Sequence, residues 1–278
     1  VKTLRANLVE LTPGEAKVAI VHASGFASAC YGPLAEAMDV PAVGVDLPGH
    51  GTAPDDPPPG AVADWLVLAD ALGAALGPEP QRLVVIGHSL GATVALLAAA
   101  AGMLHPIAIA AFEPVLIDPA DADHRAAQHA LAEGALRRRE HFADRAEARA
   151  RLAAKPPMAN FDARVVEAYL HACLVPDRAH GGLRLRCSPA LEAAIYRGGS
   201  ETGARERLGA VRVPLLIAVG AASDTLPPQE LSTLALGPRA RTTVVEGVGH
   251  FGPFERPDAV AAALGPWVRT HLDAVLHG

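Results

Sequence analysis

The chain has 278 residues, half of them hydrophobic and only 4% aromatic, with a formal net charge of −6. That length suits one large α/β domain, or one such domain carrying an insertion, with enough apolar material for a sizeable core. The acidic balance leaves no basic surface for nucleic acid. The three cysteines, Cys30, Cys173 and Cys187, have no C-x-x-C spacing, so neither a disulfide framework nor a zinc site is expected and reduced thiols in a cytoplasmic setting are the default.

From Val1 to Leu11 there are charges and no long apolar stretch, so no secretory signal is read there. Leu4 to Leu11 is predicted as an edge strand turning at Pro13-Gly14. Lys17 to Val21 is a buried strand that runs into His22-Ala23-Ser24-Gly25-Phe26, and Tyr31 to Met38 suits a short helix. A further strand, Val40 to Val45, leads into Asp46-Leu47-Pro48-Gly49-His50-Gly51. Thr52 to Gly60 carries four prolines and reads as a surface loop. Helical spacing returns over Asp64 to Leu76 and stops at Gly77-Pro78. The longest apolar run, Leu90 to Leu104, is too short to span a membrane and reads as a buried helix.

Between the apolar strand Leu83 to Ile86 and the helix from Ala92 to Ala101 lies Gly87-His88-Ser89-Leu90-Gly91. A G-x-S-x-G match in that strand-to-helix context is a nucleophile elbow: the tight turn lifts the serine hydroxyl off the sheet, and crowding demands glycine two residues to either side. Ile107 to Phe112 is the next strand, ending at Glu113-Pro114. From Val115 to Ala210 the texture becomes helical, with the strongest patterns over Asp123–Phe142, Arg145–Ala154 and Ala163–Leu174. Within it, Arg137-Arg138-Arg139 reads as a solvated helix face. Buried strands resume at Val213 to Val219, followed by Asp224, a helix near Pro227-Pro228, a last strand at Thr242 to Val245, then Gly249-His250-Phe251 and a closing helix over Pro257–Leu276. Strands alternating with helices predict a mostly parallel, doubly wound sheet whose loops meet at the strands' carboxyl ends. Residues 1–114 and 211–278 form that core, and 115–210 are predicted to be a helical cap over it.

Five loop motifs taken in order, at His22–Phe26, Asp46–Gly51, Gly87–Gly91, the aspartate after the Val213–Val219 strand, and Gly249–Phe251, resemble those of the α/β-hydrolase family, over residues 17 to 264 apart from the cap. The resemblance implies a catalytic triad with Ser89 as nucleophile, His250 as base and Asp224 as acid, falling in the chain order Ser…Asp…His. Asp224 comes one residue later than the usual Gly-x-x-Asp spacing, so Glu113, after the preceding strand, stands as the alternative acid. The oxyanion hole is expected from the backbone N–H groups of Leu90 and Ser24. Ala23 departs from the commoner His-Gly-x pattern. His22 and His88 are read as structural hydrogen-bonding groups, and His50 as part of a turn.

The implied chemistry is two-step acyl transfer on a small carboxylic ester, lactone or thioester, through an acyl-enzyme on Ser89 and needing no metal or organic cofactor. A serine at position 89 argues against haloalkane dehalogenase or epoxide hydrolase chemistry. The same fold and triad also serve lyase or cofactor-free oxygenase chemistry, or a non-catalytic ligand-binding role. Cys30, Tyr31, Met158 and Phe161 are possible pocket residues. Neither a nucleic-acid nor a membrane partner is expected, and the oligomeric state is not readable.

Overall fold

Short runs that are apolar at every position belong to strands covered on both faces, and the chain joins several of them into one sheet. The computed structural model describes residues 3–77, 80–118 and 120–276. Its first part comprises β1 (Asn7–Glu10), β2 (Val18–Val21), α1 (Gly32–Met38), β3 (Ala42–Asp46), α2 (Trp65–Leu76), β4 (Val84–His88), α3 (Leu90–Ala100) and β5 (Ala108–Phe112). There follow α4 (Ala122–Leu136), β6 (His141–Phe142), α5 (Arg145–Leu152), α6 (Ala163–Ala172), β7 (Leu174–Pro176), β8 (Leu183–Leu185), α7 (Pro189–Gly199) and α8 (Ala204–Arg207). The last part holds β9 (Leu215–Gly220), β10 (Ala240–Val245), α9 (Gly252–Glu255) and α10 (Pro257–Leu276).

The large sheet has the order β1-β3-β2-β4-β5-β9-β10. β1 is an antiparallel edge strand on β3, and the remaining neighbours are parallel. The predicted sheet, mostly parallel and doubly wound, is therefore the observed one. Side chains alternate between its faces. Along β2, Ala19 and Val21 pack with Leu68, Leu72 and Leu97 of α2 and α3, whereas Val18 and Ile20 pack with Leu34, Val260 and Leu264 of α1 and α10. Register sets Val21 opposite Gly87, His88 opposite Phe112, and Phe112 opposite Ala218. Those pairings align the carboxyl ends of β2, β4, β5 and β9, so the loops that follow them open along one edge.

Several local expectations shift. Asp64 caps α2 by accepting from Leu66 N at 2.9 Å, and Gly77 closes the helix; Pro78 lies outside the described residues. Residues Arg137–Phe142 do not continue α4: the helix ends at Leu136, and His141–Phe142 pair with β8. The segment between β5 and β9 thus carries a three-stranded sheet, β6-β8-β7, that its helical periodicity conceals. Near Pro227-Pro228 there is a single 3₁₀ segment, Pro228–Thr233. The proline-rich loop is partly covered, since Arg186 donates to the carbonyls of Ala53 and Asp55 at 2.9 and 3.0 Å. All three cysteines are free and buried. Among the described residues no helix is long and apolar enough to cross a membrane.

Another contact that fastens the segment between β5 and β9 to the core is made by Trp65, which is buried at the start of α2 and donates its indole N–H to the carbonyl of Ile195 in α7 at 3.0 Å. Trp65→Phe removes that bond while keeping an aromatic ring, and is expected to cost about 1 kcal/mol. Trp65→Ala also empties the site and is expected to cost about 3–5 kcal/mol. Urea-unfolding midpoints of the two variants check the difference.

Candidate active site

Ser89 has φ 53° and ψ −116°, a backbone conformation that a residue with a side chain occupies only when its surroundings enforce it. The enforcement is visible on both sides. Ser89 N donates to Phe112 O at 3.0 Å, holding the turn against β5. A Cβ on Gly87 would lie 2.4 Å from Ala92 Cα, and one on Gly91 would lie 2.3 Å from Val21 O. Glycine is thus required at both positions, as the sequence spacing implied. α3 begins at Leu90, so its unbonded N-terminal N–H groups face the region in front of Ser89.

The loop after β2 is tied down through its neighbours. Ala23 N donates to Tyr31 Oη at 3.0 Å, Gly25 N to His50 Nε2 at 3.2 Å, and Phe26 N to Ala23 O at 3.3 Å. Among the described residues the N–H of Ser24 has no such acceptor, and Ser24 lines the same cavity as Ser89 and Leu90.

Three buried histidines hold these loops, each in one tautomer. Leu47 N donates to His22 Nε2 at 2.9 Å, so His22 Nδ1 carries the proton and gives it to Ala23 O at 2.8 Å. Gly25 N donates to His50 Nε2, so His50 Nδ1–H faces Pro48 O at 3.2 Å. His88 Nε2–H donates to His250 O at 2.8 Å, leaving Nδ1 to accept from Tyr31 Oη–H at 2.7 Å. Burial pushes all three imidazoles toward the neutral form; His88 falls well below its ordinary value, His22 is lowered, and His50 is lowered to about 3.

Of the two candidate carboxylates, the structure places Glu113 rather than Asp224 beside His250. Asp224 is exposed on the loop after β9 and lines the cavity. The carboxylate beside His250 belongs to Glu113, fully buried, whose Oε2 lies 3.4 Å from His250 Nδ1. Oε1 of Glu113 accepts from Gly220 N at 2.7 Å, and Oε2 also accepts from Ser223 Oγ at 2.6 Å. The late spacing explains the outcome: counting from Gly220, the inward position of this loop falls on Ser223, and Asp224 is carried one residue past it. Glu113 itself has φ 52°, a second strained residue on this edge.

Ser24, Ser89, Leu90, Asp224 and His250 line one cavity of about 830 Å³, roofed by residues of the segment between β5 and β9. Of the four residues that could either line a pocket or pack, Met158 lines it, whereas Cys30, Tyr31 and Phe161 pack in the core. Arg138, expected on a solvated face, turns inward: it pairs with buried Glu192 and donates to Tyr169 Oη at 3.0 Å, while Tyr196 Oη donates to Glu192 at 3.3 Å. Arg138, Glu192 and Tyr196 all reach the cavity wall. Sequence alone gave no sign of this cluster, because its members come from three separate parts of the chain.

The family model described as Alpha/beta hydrolase family matches residues 18–263. The chain belongs to the α/β-hydrolase family. Among solved structures, this hydrolase-family chain is similar to E-2-(acetamidomethylene)succinate hydrolase, at 23% identity and TM-score 0.77, with 94% of each chain covered. It is also similar to a thermophilic esterase from Thermogutta terrifontis, at 22% identity and TM-score 0.68, covering 96% of this chain and 93% of that one. The enol-lactonase from Burkholderia xenovorans LB400 aligns at 18% identity and TM-score 0.63 over 96% of both chains. At these identities the likeness is one of fold. Compared by sequence, no curated protein matches the chain.

The buried histidines give a sign for the pH dependence of folding. Each has a folded pKa below its unfolded value, so the unfolded chain binds more protons below about pH 6.5 and stability falls as pH drops from there. Each such group contributes a slope of up to about 1.4 kcal/mol per pH unit. Urea-unfolding free energies at pH 7 and pH 5 are expected to differ by several kcal/mol, and His50→Gln is expected to flatten that dependence.

Proposed function

We propose that this α/β-hydrolase cleaves a small carboxylic ester, lactone or thioester through an acyl-enzyme on Ser89, with His250 as base and Glu113 as the triad acid, and with residues 115–210 as the cap that encloses the substrate. The observation carrying this reading is that a serine on a strained strand-to-helix turn and a histidine backed by a buried carboxylate line one cavity. A neutral hydroxyl attacks a carbonyl only if its proton is taken in the same step. With Nδ1 of His250 directed at Glu113, Nε2 is the nitrogen left to receive that proton. The Glu113 carboxylate fixes the tautomer and offsets the imidazolium charge as it forms.

The negative charge that develops on the carbonyl oxygen would be met by the N–H groups of Leu90 and Ser24, backbone donors that need no rearrangement during the reaction. Proton return from His250 expels the alcohol or thiol. Water deprotonated by the same imidazole then attacks the acyl-enzyme, and collapse of the second intermediate frees the acid and restores Ser89. No step requires a metal or organic cofactor.

A fluorophosphonate probe is expected to label the protein stoichiometrically, with labelling and p-nitrophenyl acetate hydrolysis both lost in Ser89→Ala. Hydrolysis that survives Ser89→Ala unchanged would overturn the acyl-enzyme reading. The two carboxylates separate in kcat: Glu113→Gln is expected to lower it by about 10²–10⁴-fold, whereas Asp224→Asn stays within about threefold of wild type. The reverse ranking would return the acid role to Asp224.

A further inference from the structure

Away from the cavity, the three-stranded sheet β6-β8-β7 gathers two imidazoles around one carboxylate. His141 opens β6, Asp177 directly follows β7, and His180 lies in the turn that leads to β8. Their ligating atoms all fall within 4.8 Å of one another. His141 Nδ1 and His180 Nδ1 stand 2.6 and 3.1 Å from the same oxygen, Oδ2 of Asp177.

The carboxylate is built in. Its side chain is 4% exposed, and Oδ1 accepts from Ala179 N at 3.0 Å and His180 N at 3.2 Å. The turn around it is closed by Asp177 N donating to Gly182 O and Gly181 N donating to Asp177 O, at 3.0 and 2.9 Å. The imidazoles face solvent instead, His141 being 48% and His180 71% exposed. Behind His141, Glu140 Oε2 lies 3.8 Å from Nε2, longer than a hydrogen bond but on the side from which a carboxylate can orient a ligating imidazole. Arg184, paired with His141 across the ladder, sends its guanidinium to Asp56 and to Leu185 O, and Arg178 lies in the same turn as Asp177 and His180.

We propose that His141, Asp177 and His180 bind a divalent first-row transition ion, with Zn²⁺ the case tested, at a site separate from the hydrolytic cavity. The donors are two imidazole nitrogens and one carboxylate oxygen, the set that suits zinc and its neighbours rather than Mg²⁺ or Ca²⁺. The ion takes the place of the two Nδ1 protons. A neutral ring moves its proton to Nε2, a protonated ring releases one to solvent, and water fills the remaining coordination positions. Zinc bonds of about 2.0–2.1 Å in tetrahedral geometry separate ligand atoms by roughly 3.3 Å. The 3.1 Å pair already matches that spacing, and the 2.6 Å pair opens by rotation of the half-exposed His141 side chain. Once bound, the ion would cross-link β6 to the β7–β8 hairpin.

The test is calorimetric titration of Zn²⁺ into the chelator-treated full chain at pH 7.5, compared with His141→Ala, His180→Ala and, as a control for stray binding at the hydrolytic cavity, His250→Ala. One equivalent is expected to bind with a Kd on the order of 10 μM or tighter, weakened at least about tenfold in His141→Ala and in His180→Ala and unchanged in His250→Ala. Zn²⁺ is also expected to raise the unfolding temperature of the wild type and not that of the His141 and His180 variants. No saturable binding below about 100 μM, or binding that persists in both variants, or binding lost only in His250→Ala, overturns the proposal. None of these readouts depends on whether Ser89 is a nucleophile.

Discussion

A fully buried imidazole has one proton to donate and one lone pair to fill, and His88 finds its two partners in different loops. Tyr31 Oη gives a proton to Nδ1, and the carbonyl of His250 takes the proton of Nε2. Tyr31 Oη in turn accepts from Ala23 N. The loop that carries the expected oxyanion donor, the residue before the elbow serine, and the backbone of His250 are therefore linked by three hydrogen bonds of 3.0, 2.7 and 2.8 Å. Nothing in this chain of bonds is redundant. Removing any member strands a buried polar group, which costs about 1–3 kcal/mol. Protonating His88 would make Nδ1 a donor facing Tyr31 Oη and deprive the Tyr31 proton of its acceptor, so burial and hydrogen bonding both favour the neutral ring.

The same reasoning explains why the edge tolerates strain. Ser89 and Glu113 both hold positive φ without being glycine, and each lies one residue beyond the end of its strand. Their backbones are clamped from neighbouring strands: Ser89 N by Phe112 O, and Glu113 N by Ala218 O at 2.8 Å. Parallel pairing of β4, β5 and β9 thus fixes the two residues in space together. A shift of β5 by one position against its neighbours would send Glu113 to the opposite face of the sheet. Sheet register is in this sense part of the candidate site.

Much of this could be read from the sequence where one strong local rule decides. The central strands β2, β5 and β9 are continuous apolar runs, and the elbow is two glycines around a serine between a strand and a helix. Which carboxylate stands beside His250 was harder to read, because loop position depends on a count that a single residue alters: Ser223 occupies the inward place against Glu113, and Asp224 lies outside. The signal existed in the late spacing, and the choice between two carboxylates needed the third dimension. Arg138 illustrates a different limit. Three consecutive arginines have the texture of a solvated face, yet the middle one is drawn inward by Glu192, more than fifty positions away in the chain. Helical composition likewise hid β6, a two-residue strand whose existence depends on β8.

The polar cluster on the cavity wall packs against the loop after β2. Gly25, next to Ser24, is so close to Glu192 and Arg138 that a Cβ there would stand 2.6 Å from Glu192 Oε1 and 3.3 Å from Arg138 Nη1. Glu192 sits on α7, and Arg138 follows the end of α4, so both belong to the segment between β5 and β9. That segment therefore does more than roof the cavity. The loop that carries Ser24 is thus packed against α7, whereas Glu113 is held by the sheet, its N–H on Ala218 O and its Oε1 on Gly220 N, and the backbone of His250 is held by His88.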